Sequence, residues 1–359
     1  LKSCQDFQSA SLCMRPRLHT MRLACACTLL LSIPVLVRPG GRCGLRAEEL
    51  LPRGAAVPSL VLSPTPAELR AAQQHASAPL LPETLDWRWL NGTAFTTHVG
   101  NQDLPSSCGS CWAFAATGAL SDRVKIATGG RLPDFNLAVQ GLLDCAAPSA
   151  GSCNGGSPIL AYDFIAKMGL TDETCLPYRG MDYSNWGRDG RGWPGETDCA
   201  DRMCRRCDRF GTCGFLPRNA TTRIFVSEHG VVKGVDAMQA EIAARGPIAC
   251  SMYAHSDGFE RYTGGIITDV TKYDGTTHVV VVTGWGVEKG VKYWIVRNSF
   301  GMEWGELGYY RQAMGLDIFN MESNECAWAM PSVASVNTLV QRAGMVQQAV
   351  RTTDDVVFA

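Results

Sequence analysis

The stretch Cys108-Gly109-Ser110-Cys111-Trp112 decides how the rest of this chain is read. Two cysteines with two residues between them admit a redox pair, half of a zinc site, or one bonded cysteine beside a free nucleophilic thiol. The residues around the stretch separate these readings. Gln102 lies just upstream. His278 opens the run His278-Val279-Val280-Val281-Val282, and Asn298 sits in Arg297-Asn298-Ser299-Phe300-Gly301 at the end of another apolar run. An amide donor, a thiol, an imidazole and a second amide are the parts that thiol-dependent acyl transfer needs: oxyanion donor, nucleophile, base, and orienter of that base. A redox pair of the thioredoxin kind would need a surrounding βαβ unit, and none is legible here.

After Cys111, the residues Trp112, Ala115, Ala116, Leu120 and Val124 recur at helical spacing until Gly129-Gly130. This predicts a helix from Cys111 to Ala127 with the thiol at its N-terminus, where the dipole and free N–H groups favour a thiolate. Further helices are predicted at Asn136–Leu143, Ile159–Lys167 and Asp236–Ala244. Strands are predicted at Ile248–Tyr253, Gly265–Thr268, Val279–Gly284 and Tyr293–Arg297, with 175–219 loop-like. A helix-rich half carrying Cys111, followed by a strand-rich half carrying His278 and Asn298, predicts a cleft between two lobes.

Of the 16 cysteines in the 359 residues, eleven lie from Leu81 onward: Cys108, Cys111, Cys145, Cys153, Cys175, Cys199, Cys204, Cys207, Cys213, Cys250 and Cys326. Eleven is odd, so one thiol is left over, and Cys111 is the candidate. Cys43 raises the count to twelve and could cap that thiol in a precursor. Cys204-Arg205-Arg206-Cys207 with Cys213 has zinc-ligand spacing, but no suitably spaced histidine follows and disulfides are the better reading. No metal and no cofactor is predicted.

The number of cysteines fits an oxidising compartment. Arg15, Arg17 and Arg22 precede the apolar run Leu23–Val37, interrupted by Pro34, and Arg38-Pro39-Gly40-Gly41 follows. Those features predict a signal peptide, with Met14 or Met21 as the start and no membrane span in the mature protein. Asn91 and Asn219 head glycosylation triplets. A formal net charge of −1 and no basic stripe argue against a nucleic-acid partner. The chain divides into upstream residues and signal peptide (1–41), a short prosegment (42–80), a catalytic domain (81–335) and a C-terminal tail (336–359).

From Leu81 to about Ser335 the chain resembles the papain-like cysteine peptidases, and among them most the cathepsin X branch. Besides the five-residue stretch, the likeness rests on Asp172-Glu173-Thr174-Cys175, Gly211-Thr212-Cys213, the run from Tyr293 to Ser299, and Trp304-Gly305-Glu306. It rests also on the step from Gln102 to Cys111, three residues longer than usual, which is similar to that branch's mini-loop. The resemblance implies an α+β, two-lobed fold with a helical N-terminal lobe, a β-rich C-terminal lobe and the active site in the cleft. It implies Cys111 as nucleophile, His278 as acid/base, Asn298 as its orienter, and Gln102 with the Cys111 N–H as oxyanion hole. Asn154, Gly155 and Gly156 would grip the substrate strand, and Asp103, Leu104, Pro105, Phe300 and Trp304 would line the site. The resemblance also implies disulfides joining Cys108 to Cys153, Cys145 to Cys199, Cys175 to Cys204, Cys207 to Cys213 and Cys250 to Cys326. A glycan on Asn219 and a Cys43 cap are implied in the same way. So are a monomer, peptide or protein substrates, cysteine-protease inhibitors as partners, and the lysosome, vacuole or extracellular space as the destination.

Three features depart from that pattern. Phe300 stands where a tryptophan usually shields the His–Asn hydrogen bond. An insertion runs from Leu176 to Asp198. The mini-loop reads Asp103-Leu104-Pro105, where the branch carries a histidine that holds a substrate's C-terminal carboxylate. The resemblance therefore implies a carboxypeptidase-like exopeptidase whose anchor residue has changed sign. A dipeptidyl aminopeptidase-like or endopeptidase activity is the alternative reading, and a catalytically silent peptide binder is the non-enzyme one.

Overall fold

The computed structural model describes residues 81–343, except 132, 148, 183–198 and 200. The signal segment, Cys43, most of the 176–198 insertion and the end of the tail lie outside the described residues. Helix α1 (Cys111–Ala127) is the axis of the molecule. Its small residues Ala113, Ala115, Ala116 and Ala119 are all buried, as are Trp112, Leu120 and Val124, so neighbours pack on it from every side. Helix α2 (Val139–Cys145) begins three residues later than the apolar spacing predicts. The cause is local: the Leu137 N–H donates to Ser121 Oγ and the Ala138 N–H to the Thr171 carbonyl, which holds this entry extended. The hairpin β2 (Gly151–Ser152) and β3 (Gly155–Gly156) leads into α3 (Pro158–Met168), which starts on proline, where a missing N–H is harmless.

The loop-like reading of 175–219 needs two corrections. The strands β4 (Arg205–Cys207) and β5 (Cys213–Phe215) form an exposed hairpin, fastened by the disulfide between Cys207 and Cys213. Cys199, expected in a loop, has helical backbone and is fully buried in the core of the helical lobe. Its disulfide to Cys145, the last residue of α2, draws it there, and its sulfur also lies 3.2 Å from the Asp144 carbonyl oxygen. No apolar repeat leads up to Cys199, so the sequence gives the bond partner but not the burial.

The second lobe is built on one sheet. Its strands are β6 (Val226–Val232), β7 (Ile248–Met252), β8 (Ile266–Ile267), β9 (His278–Glu288), β10 (Val291–Arg297), β11 (Tyr309–Ala313) and β12 (Cys326–Pro331). Their order is β6-β12-β7-β9-β10-β11-β8, with β1 (Leu85–Asp86) added beside β9. Helix α4 (Val235–Arg245) and the single turn α5 (Asp257–Glu260) follow β6 and β7. The valine run of β9 is continuous because both faces are covered. Val279 and Val281 join the core around α1, whereas Val280 and Val282 join a second core with Trp285, Trp294 and Tyr310.

The two ends of the described chain cross over. The leading segment belongs to the strand lobe: Leu85 pairs with Trp285, and the Trp87 indole donates to the Ile242 carbonyl at 2.9 Å. The trailing helix, α6 (Val333–Arg342), buries Val336 and packs Leu339 against the helical-lobe core. It is capped by Ser332, whose Oγ accepts from the Ser335 N–H, and it runs across position 335, where the sequence suggested a tail. No helix among the described residues is long and apolar enough to cross a membrane.

Candidate active site

Cys111 is the first residue of α1 and is buried. It is the one unpaired cysteine among the described residues. Disulfides join Cys108 to Cys153, Cys145 to Cys199, Cys175 to Cys204, Cys207 to Cys213 and Cys250 to Cys326. The Ser110 side chain does not cap the helix; its hydroxyl meets the Tyr178 hydroxyl at 2.8 Å. The Ala113 and Phe114 N–H groups donate to the Ser110 carbonyl, and those of Cys111 and Trp112 are left to the thiol. Burial pushes the Cys111 thiol up, while backbone hydrogen bonds from Val279, Trp112 and Cys111 itself pull it the other way. The contact with Val279 matters most for assembly, because His278 is the adjacent residue on β9.

His278 is held by Asn298, with its Nε2 2.7 Å from Asn298 Oδ1. The same Oδ1 accepts the Ser299 backbone N–H at 2.8 Å, which marks it as the oxygen end of the amide. An acceptor facing Nε2 requires Nε2 to carry the proton, so the Nδ1 lone pair of the neutral ring is left free to accept one. Burial pulls His278 down to about 4; the Asn298 hydrogen bond and, more weakly, Asp103 pull up, and His255 pulls down. Burial thus opposes charge on Cys111 and on His278. Aromatic rings shield this unit: Phe300 lies 5.1 Å from the His278 ring, tilted by 33°, and Phe259 meets it edge-on at 5.9 Å. Trp304 stands against Phe300 at 5.7 Å.

Gln102 is tied to the same strand end. Its N–H donates to the Ser299 carbonyl at 2.8 Å, and its Oε1 accepts the Ser299 hydroxyl at 2.7 Å. This turns Nε2, the donor end of the amide, away from Ser299. From the other side, the Tyr178 hydroxyl donates to the Gln102 carbonyl at 2.8 Å, so one phenol links the Gln102 loop to Ser110. Ser299, Tyr178 and Phe259 were not singled out from the sequence. Ser299 lies inside a quoted motif, but the other two carry no spacing signal. The hydrogen-bond partners of Tyr178 are 68 and 76 residues away, and the ring neighbours of Phe259 come from several strands and loops.

The mini-loop after Gln102 is exposed at Asp103, Leu104 and Pro105. Asp103 accepts the Ser107 hydroxyl at 2.6 Å, and its N–H donates to Asn101 Oδ1 at 2.9 Å. Gly180 braces the loop: a Cβ there would lie 2.1 Å from the Ser106 carbonyl oxygen, so only glycine permits this approach. The Asp103 carboxylate is close enough to His278 to favour its protonated form. On the other side, Gly109 donates to the Cys153 carbonyl at 2.8 Å, and Asn154, Gly155 and Gly156 follow on an open hairpin whose backbone lies against Trp112. Nothing stands within 4 Å of the position a Gly155 Cβ would take. Asn91 and Asn219 are both exposed and lie away from this cluster in the sequence.

The geometry can be set beside known proteins. The family model described as papain family cysteine protease matches residues 81–340. Cathepsin Z of Onchocerca volvulus is 38% identical over 261 residues, which is 70% of this chain and 78% of that protein. Pro-cathepsin H of Bos taurus is 34% identical over 234 residues, 64% of this chain and 59% of that one. The structure of digestive procathepsin L2 proteinase from Tenebrio molitor larval midgut superposes with a TM-score of 0.55 at 29% identity, covering 71% of this chain and 70% of that one.

Proposed function

The chain belongs to the papain family of cysteine proteases and has the α+β fold of that family; from that premise we propose that it is an exopeptidase in which Cys111, His278, Asn298 and Gln102 carry the reaction. The observation that carries the proposal is the 2.7 Å contact of His278 Nε2 with Asn298 Oδ1, next to the Val279 backbone that reaches the Cys111 thiol. In this mechanism Cys111 Sγ attacks the peptide carbonyl carbon and its proton passes to His278 Nδ1. The Gln102 Nε2 and Cys111 N–H groups stabilise the oxyanion. His278 then donates the proton to the leaving amine, the C–N bond breaks, and a water molecule activated by His278 hydrolyses the thioester. Asn154, Gly155 and Gly156 bind the substrate backbone, and Phe300 and Trp304 keep water from the His278–Asn298 bond.

Exopeptidase action is supported by the braced mini-loop, which follows Gln102 directly and, in this reading, closes one end of the substrate cleft. Its length fits a carboxypeptidase; its chemistry favours a weak one, because an ionised Asp103 repels a terminal carboxylate. The same carboxylate suits a substrate's ammonium terminus, which is what favours the second reading, a dipeptidyl aminopeptidase-like enzyme. The five disulfides and the exposed Asn91 and Asn219 support passage through the secretory pathway, with glycosylation at those positions, residues 42–80 as a prosegment, and the lysosome or extracellular space as the destination. The test is product analysis on one peptide with free, amidated and N-acetylated ends, with Cys111→Ala as control. Loss of cleavage on amidation alone identifies a carboxypeptidase, and loss on acetylation alone an aminodipeptidase. Equal cleavage of all three would defeat the exopeptidase proposal, and cleavage by Cys111→Ala would defeat the mechanism.

A further inference from the structure

Apart from His278 on β9, the parts of the active site come from three stretches far apart in the sequence: helix α1, the end of β10, and the loop leading to Gln102. All three converge on one carboxylate that touches no catalytic group. Asp122 lies on α1, eleven residues after Cys111, and is fully buried. Arg297, the residue before Asn298, donates to it through Nη2 to Oδ2 at 2.8 Å and through Nη1 to Oδ1 at 3.2 Å. Thr97, which begins the segment leading to Gln102, donates to the same Oδ1 through its N–H at 2.7 Å and its hydroxyl at 2.8 Å. Arg297 Nη1 closes the ring by donating to the Thr97 carbonyl at 3.1 Å. Both Asp122 carboxylate oxygens accept hydrogen bonds in this junction. A planar guanidinium bonded twice to a carboxylate also fixes orientation as well as distance.

The helix is shaped to admit the junction. Gly118 stands one turn before Asp122, and a Cβ there would lie 2.8 Å from Arg297 Nη2. Glycine in the interior of a buried helix costs helical stability, and here the space it leaves is filled by the guanidinium. A purely stabilising contact between the lobes could be apolar, as buried ion pairs often gain nothing over well-packed hydrophobic residues. What an apolar patch would not supply is a fixed register between the helix of the nucleophile and the strand of Asn298.

We infer that Asp122 is a positioning residue, which through Arg297 and Thr97 sets the placement of Asn298 and Gln102 relative to Cys111. The inference rests on the proposed catalytic roles, so the experiment separates the two. Three variants are compared with wild type: Gly118→Ala, Asp122→Leu/Arg297→Met, and Cys111→Ala as the test of the reaction itself. All are followed by thermal unfolding and by activity on one peptide, as kcat and KM where there is turnover, and those that keep Cys111 also by the pH dependence of its labelling with iodoacetamide. Alanine at 118 is a better helix former than glycine but pushes on Arg297, and the apolar pair removes both buried charges. The expected result is a loss of about tenfold or more in kcat for both, with KM within about twofold and a shifted labelling profile, in proteins that remain folded. Should the double variant not fold, Gly118→Ala decides alone. Wild-type kcat and labelling profile in the folded variants, or a loss of activity no greater than the loss of folded protein, would overturn the inference. An active Cys111→Ala would instead remove the catalytic reading beneath it.

Discussion

Replacing Ser299 by alanine asks whether the Gln102 amide is aimed by a single hydroxyl. The two side chains are nearly buried, and the Ser299 hydroxyl donates to Gln102 Oε1 at 2.7 Å. Alanine removes that bond and leaves the backbone intact, since the Gln102 N–H still donates to the Ser299 carbonyl. A neutral hydrogen bond of this kind contributes about 0.5–1.5 kcal/mol, which corresponds to about 2- to 13-fold in rate when it serves only the transition state. Deleting the proposed oxyanion donor itself, in Gln102→Ala, sets the ceiling at about 10²–10³ in kcat. Steady-state kinetics on one peptide should therefore show Ser299→Ala losing about 2- to 13-fold in kcat with KM almost unchanged. The double variant should be no worse than Gln102→Ala alone. The reasoning fails if Ser299→Ala costs the same factor in the Gln102→Ala background, because the hydroxyl would then act on something else. It fails also if Ser299→Ala has no effect while Gln102→Ala loses about a hundredfold.

Three further outcomes follow from the same geometry. Because burial brings His278 to about 4 in the folded protein, against about 6.5 when unfolded, the unfolded chain binds more protons between those values. Stability therefore falls as pH drops from 6.5 through 4, by about 3 kcal/mol in full; urea unfolding of Cys111→Ala should show this slope and Cys111→Ala/His278→Gln should lack it, equal slopes being the contrary result. Asp103→His should raise cleavage of free over amidated C-termini by about fivefold near pH 5–6, where histidine still carries charge, and an unchanged ratio in product analysis would mean that position 103 is not the anchor. Removing the Cys250–Cys326 bond, which spans 76 residues between two buried positions, should lower unfolding stability by about 2–5 kcal/mol with urea as denaturant, and a loss below about 1 kcal/mol would place its value elsewhere.

What could be read before the structure was the local part of the problem. The helix from Cys111 to Ala127 was legible to the residue because an apolar repeat starts and a glycine pair ends it. The strand opened by His278 was legible as well, but it continues past Gly284 to Glu288, since β1 and β10 extend the pairing through a Gly-Trp-Gly that reads as a turn. Strand β11 was missed, and so were β6 and β12. Of the last two, one is interrupted by Glu228, His229 and Gly230, the other is rich in alanine, and each is a strand because the other lies beside it. Cys199 was missed in the same way, as a buried helical position, because what seats it is a bond to Cys145, 54 residues back. The same limit applies to the site. Cys111, His278 and Asn298 announce themselves by motif, whereas Asp122 and Tyr178 act through partners that only the fold brings near.

The crossed ends of the chain bear on how the protein is made. Leu85 emerges from the ribosome 200 residues before Trp285, the partner that seats it. At about 5–20 residues per second, the leading strand waits on the order of 10–40 s for its place in the sheet. Asp122 waits similarly for Arg297. The disulfides among the described residues impose no such delay: four join cysteines between Cys108 and Cys213, one joins Cys250 to Cys326, and none of these five links the first-made half to the second. Oxidation can therefore follow the order of synthesis while the backbone cannot. A nascent chain stalled between residues 213 and 278 would carry a cross-linked helical half with its core still open to water, and this is the stage at which a chaperone has the most to cover.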